Sequence, residues 1–115
     1  MTDKQIITKM TEAYFIGLHE ADIEKLKAVF HEDTVLKAPG IRRTRDEWLN
    51  LVASRPVPQK EGYSFNYKIL SIDIMGEQAM VKVYCPLLGS EFIDFLGFLK
   101  EGSDWKIVNK MYSGK

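Results

Sequence analysis

The chain has 115 residues, 45% hydrophobic and 28% charged, which sets aside disordered, collagen-like and coiled-coil architectures. Sixteen Lys and Arg balance sixteen Asp and Glu, so a net charge of zero gives no electrostatic reason to expect nucleic acid or an anionic membrane as partner. No apolar run has the length of a membrane span, Met1–Lys9 lacks a leader-like apolar stretch, and the lone cysteine, Cys85, can form no internal disulfide. One domain spanning 1–115, in a reducing cytoplasm, is the expectation.

The first half of the chain reads at helical spacing. Ile6, Met10, Ala13, Tyr14, Gly17 and Leu18 form one apolar stripe, and Thr2 with Gln5 predicts a capping box at its start. A short second helix follows Asp22, an N-cap residue, with Ile23, Leu26, Val29 and Phe30 on one face. Thr34-Val35-Leu36 reads as a short strand ended by Ala38-Pro39-Gly40. A third helix starts at Thr44, whose partner Glu47 completes a second capping box. It carries Trp48, Leu49 and Val52 and is stopped by Arg55-Pro56-Val57-Pro58.

From Tyr63 onward apolar residues alternate, and turns at Gly76-Glu77, Gly89-Ser90 and Glu101-Gly102-Ser103-Asp104 predict a four-stranded antiparallel meander. The first turn pairs Ile74 with Ala79, Ile72 with Val81 and Leu70 with Val83. The second pairs Val81 with Phe98, Val83 with Leu96, Cys85 with Asp94 and Leu87 with Phe92. The third pairs Phe98 with Ile107, Leu96 with Asn109 and Asp94 with Met111. All three turns place the same apolar set on one face, as a side-chain period of two requires. Phe65, Tyr67 and Ile69 are apolar on odd positions, but Leu70, Ile72 and Ile74 on even ones. That slip predicts a β-bulge, hence a bent sheet with a hollow side for the helices.

Two helices, a short strand, a third helix and a bent meander resemble the nuclear transport factor 2-like (SnoaL-like) superfamily, a cone-shaped α+β fold of the cystatin-like kind. The segments Tyr14-Phe15-Ile16-Gly17-Leu18-His19, Asp46-Glu47-Trp48-Leu49, Leu51-Val52-Ala53-Ser54-Arg55-Pro56 and Trp105-Lys106-Ile107-Val108-Asn109-Lys110 are similar to the putative lumazine-binding family. The resemblance implies three N-terminal helices packed on a strongly bent antiparallel sheet. It leaves function open, since the superfamily includes isomerases, cyclases, dehydratases and non-enzymatic binding or dimerisation modules.

The register sets Tyr67, Cys85, Asp94 and Met111 side by side on the inner face, with Asn109 beside Leu96. Ile69, Leu70, Val83 and Leu96 flank them on one side; Phe65, Leu87 and Phe92 flank them on the other. A carboxylate so surrounded needs a partner or a function, because burying it alone costs several kcal/mol. Asp94 is therefore the candidate pocket residue and the candidate general acid or base, its pKa expected to rise by desolvation. In that role Tyr67 or Tyr14 would donate to an oxyanion and Asn109 would orient the carboxyl or the ligand. Ketosteroid isomerases of the resembled superfamily pair a Tyr with a carboxylate in this way. The competing expectation is a structural carboxylate bonded to a helix N-terminus, a Tyr hydroxyl or Arg55.

Trp48 is expected in the core or as a pocket wall, and Cys85 as a small inward residue beside Asp94. His19 and His31 follow the last apolar turns of their helices, where capping of loose carbonyls is expected. No metal-ligand spacing occurs, and Gly-x-Ser-x-Gly, Walker and dinucleotide fingerprints are missing, so neither metal nor cofactor is expected. Arg42, Arg43 and Arg45 form a small basic cluster that reads as a solvated loop, with steering of an anionic ligand as the alternative.

The outer face carries Met80, Tyr84, Pro86, Ile93, Phe95, Leu99, Val108 and Tyr112, broken by Lys82, Lys106 and Lys110. Tyr84 with Phe95 and Met80 with Leu99 are expected to make a continuous apolar patch. A two-fold homodimer with sheets face to face is the expected use of it. Three functions stay open: a binding protein for a compact small molecule, a proton-transfer enzyme using Asp94, and a dimeric module whose cavity is closed by Trp48, Phe65, Tyr67 and Phe92.

Overall fold

A computed structural model describes residues 1–115. Helices α1 (Asp3–Glu20) and α2 (Ile23–Val29) lead into strands β1 (Phe30–Ala38) and β2 (Ile41–Thr44). Helix α3 (Arg45–Ser54) follows, and then strands β3 (Lys68–Met75), β4 (Gln78–Leu87), β5 (Ser90–Glu101) and β6 (Asp104–Gly114). The helix starts are those the side chains dictate. Thr2 and Gln5 close one capping box, Thr44 and Glu47 close the other, and the Asp22 carboxylate accepts from the Lys25 amide. Helices α1 and α2 meet closely because Gly17 has no side chain: a Cβ there would stand 2.8 Å from Leu26 Cγ.

The strands form one six-stranded sheet in the order β2-β1-β6-β5-β4-β3. The fold is α+β, as expected, with the four-stranded meander extended at one edge. There β1 runs parallel to β6, and β2 folds back on β1, so the sheet is mixed rather than wholly antiparallel. Arg42 and Arg43 consequently lie on a strand and not in a loop. Between Phe30 and Val35 the β1–β6 register breaks, and Thr34 fills the break by donating its hydroxyl to the carbonyl of Ile107 at 2.6 Å. At the opposite end, Trp105 Nε1 donates to Asp3 Oδ1 at 3.0 Å, fastening the start of α1 to β6. The core lies between the helices and the inner sheet face, where Ile7, Leu18, Leu26, Leu49 and Val52 pack with Val81, Leu96, Phe98 and Ile107.

Three details of register differ from the sequence expectation. The β3 bulge exists, but it expels Leu70: Ile69 pairs with Val83, Ser71 with Lys82, and Leu70 is left exposed. The β4–β5 turn is Leu88-Gly89, with both residues at positive φ (50° and 87°), rather than Gly89-Ser90. Two adjacent left-handed residues make a hairpin turn matched to strand twist, and Gly89 takes its second position without strain. Every β4–β5 pair therefore moves by two residues: Val81 faces Leu96, Val83 faces Asp94 and Cys85 faces Phe92. A shift of two preserves the face, so Asp94 stays inward.

The third difference does change a face. Phe98 pairs with Ile107 as expected, but Gly97 pairs with Asn109, Leu96 with Lys110 and Asp94 with Tyr112. Val108 is the extra residue of a bulge in β6. Beyond it Lys110 turns inward and is buried, while Met111 turns outward and is exposed. Asn109 leaves the inner face too, standing beside Gly97 on the outer side.

Candidate functional site

The inner face gathers most of the expected site residues. Tyr14, Trp48, Tyr67, Cys85 and Asp94 are all buried. Asp94, only 2% exposed, is not left alone: the Tyr14 hydroxyl of α1 donates to its Oδ2 at 2.7 Å, and Lys110 Nζ of β6 lies 3.9 Å from the same oxygen. The Lys110 ammonium sits over three rings, 4.3 Å from the Trp48 centroid, 4.9 Å from that of Tyr112 and 5.2 Å from that of Tyr14. Ring faces attract a cation once water is excluded, so the cage and the carboxylate together hold a buried lysine in place.

The titrations follow from this arrangement. Burial, first, and then the Asp94 charge push the Tyr14 phenol well above its ordinary range. Burial pushes the Cys85 thiol far up, and Asp94 adds to it, so the thiol stays protonated. Burial pushes Lys110 down, with Asp94 as the main opposing influence.

Beside this cluster lies a cavity of about 130 Å³ between α1, α3 and the inner face. Trp48 and Leu51 of α3, Leu87 of β4, Phe92 of β5 and Tyr112 of β6 form its apolar wall; Cys85, Asp94, Lys110 and Arg55 supply the polar atoms. Arg55, the residue that ends α3 before Pro56, reaches into this wall, and its Nη2 is buried with no hydrogen-bond partner. Burial pushes the guanidinium pKa down, and Tyr14, Tyr112, Tyr67 and Asp94 oppose that shift.

The expected site is thus partly redistributed. Trp48, Cys85 and Asp94 line the cavity, and Tyr14 acts behind it through Asp94. Tyr67 belongs to a neighbouring aromatic group: its ring stacks on Phe15 and its hydroxyl is 3.2 Å from His19 Nδ1. Burial pushes the Tyr67 phenol up to about 12. His19 therefore bonds Tyr67 where carbonyl capping was expected. His31 is remote, beside Asp33 at 2.7 Å. Asn109 takes no part, because the β6 bulge carries it to the outer face.

Sequence reasoning missed Lys110 and Tyr112 as inward residues and placed Arg55 only as a partner for Asp94. Strict alternation through Trp105 and Ile107 favoured Asn109 and Met111. The contrary signal was that this register gave the inward Asp94 no cation from the sheet itself, only Arg55 from beyond α3. No group of three or more His, Cys, Asp or Glu converges to hold a metal. No helix is long and apolar enough to cross a membrane.

Helices closing over the inner face of a bent sheet define the nuclear transport factor 2-like class, and solved structures agree. The fold is similar to that of an NTF2-like protein of unknown function from Silicibacter pomeroyi, at 23% identity and TM-score 0.80 with 100% of both chains covered. It is also similar to one from Shewanella baltica, at 21% identity and TM-score 0.82, covering 100% of this chain and 98% of that one. A ketosteroid isomerase-like protein from Erwinia carotovora atroseptica matches at 19% identity and TM-score 0.76, covering 99% and 98%. The family model described as putative lumazine-binding matches residues 2–113, and the chain belongs to that family. None of the curated proteins matches it in sequence.

The charge pairing yields a stability prediction. Lys110→Met keeps the bulk of the side chain but leaves the Asp94 carboxylate with Tyr14 alone. Urea denaturation at neutral pH should show a loss of about 3–5 kcal/mol, part of which returns when Asp94→Asn is added. A Lys110→Met chain as stable as the parent would mean that the pair is not held together in solution.

Proposed function

We propose that residues 1–115 form one ligand-binding domain whose site is the cavity between α3 and the inner sheet face. The carrying observation is that the cavity persists although Trp48 and Phe92 project toward it. Phe65, expected to help close the cone, is 51% exposed and lies edge-on against Tyr67 instead. At about 130 Å³ the space is slightly smaller than the ~150 Å³ apolar cavity that accepts benzene, so the ligand is compact. Its mixture of apolar walls and a few polar groups is that of a small-molecule site.

Proton transfer with Asp94 as acid or base is the second reading, supported by the Tyr14–Asp94 hydrogen bond at the cavity wall. It requires a bound ligand that sets a transferable proton within hydrogen-bond reach of an Asp94 oxygen. Binding is preferred because the Asp94 carboxylate is already engaged by Tyr14 and Lys110. The buried free Cys85 supports a cytoplasmic setting.

Saturation-transfer NMR with a library of small fragments tests the reading. Some should bind the parent protein and lose binding in Leu51→Trp, which fills the cavity from α3. If no fragment binds, or if the variant binds them equally, the cavity is not the site.

We also infer a two-fold homodimer through the outer face. Met80, Phe95, Leu99 and Met111 are each about 40% exposed there, and a groove bounded by Pro39, Ile93, Phe95 and Met111 adjoins them. Light scattering should report a dimer for the parent chain and a monomer for Phe95→Glu. A monomeric parent would contradict the inference.

A further inference from the structure

Resting on the ligand-binding reading, the geometry points to a ligand of one chemical class: a small monoanion, a short carboxylate, seated against Arg55 and Lys110. Two cationic side chains and one carboxylate line the cavity. Asp94 offsets one of the cations and leaves the other without a counter-charge.

The unspent donors say the same. The Lys110 side chain is 6% exposed, yet its nearest carboxylate oxygen is 3.9 Å away, beyond hydrogen-bond reach. Ring faces answer its charge but leave its N–H groups without acceptors. Arg55 Nη2 is buried with no acceptor at all. Buried donors without partners are uncommon in folded proteins and costly, so the one on Arg55, in a cavity that Lys110 also lines, indicates a missing acceptor. A carboxylate has the planar pair of oxygens that a guanidinium fork matches, and it carries the charge that Arg55 lacks.

Size and repulsion narrow the class. At about 130 Å³ the cavity has room for acetate or a short oxo or hydroxy acid. A second negative charge would meet the buried Asp94 carboxylate with no further cation to offset it, which disfavours dianions. Trp48, Leu51 and Phe92 then cover the apolar end of the guest.

The test titrates isotope-labelled protein with acetate and with acetamide, its neutral isostere, in low-chloride buffer, following amides around Trp48, Asp94 and Lys110. Acetate should saturate the site with affinity at least about tenfold above that of acetamide, and Arg55→Gln should abolish the difference. Because Arg55 Nη2 bonds nothing in the protein, this variant breaks no internal bond at that nitrogen, and the parent comparison stands without it. Equal affinity for the two probes would overturn the anion assignment and leave the cavity as a general small-molecule site. The assignment alone also fails if neither probe binds while library fragments do. If fragments fail as well, the ligand-binding reading falls with it.

Discussion

A carboxylate cannot be carried into a protein interior without compensation, and much of the arrangement here follows from how Asp94 is compensated. The residue sits near the middle of the inner sheet face with almost no water contact. Its partners come from separate parts of the chain: Tyr14 from the first helix and Lys110 from the last strand. Each partner brings its own cost. A buried phenol must spend its proton on an acceptor, and a buried ammonium must find negative potential, which the carboxylate and the faces of Trp48, Tyr112 and Tyr14 supply. The network binds helix α1, helix α3 and strands β5 and β6 into one unit. It also fixes the polar wall of the cavity beside it.

Much of the architecture was legible in the sequence because local chemistry specified it. The two capping boxes, the Asp22 cap, the Pro-bounded end of the third helix and the Gly76 and Gly102 turns need no tertiary information. The bulge near Leu70 was visible as a change of apolar phase, and Asp94 was recognisably inward because its neighbours in the pattern were apolar. A two-residue error at the Leu88-Gly89 turn was harmless, since it preserved the face.

The rest was decided at longer range. A bulge at Val108 has no local sequence signature, because Asn109 and Met111 fit the alternation as well as Lys110 and Tyr112 do. What selects the bulge is the burial of Lys110 beside Asp94 and between aromatic rings, together with the parallel pairing of β1 against β6. Both depend on residues far away in sequence. Arg55 was legible as a possible partner for Asp94, but only the packed sheet shows it lining the cavity with a guanidinium nitrogen left unpaired.

The relatives share the shape at 23% identity or less, which fixes the fold and leaves the chemistry to this chain's own side chains. Here those side chains make a small cavity with an excess of positive charge, against a wall organised by one buried ion pair. The most direct test of that account is the side-chain NMR spectrum of Lys110, assigned by its substitution. Held over the Trp48 ring, its ε-methylene protons should resonate well upfield of those of the exposed lysines, and the ammonium should exchange slowly with water. A Lys110 signal indistinguishable from Lys82 or Lys106 would mean that β6 keeps its regular register, and the proposed site would lose one of its two cations and its excess of positive charge.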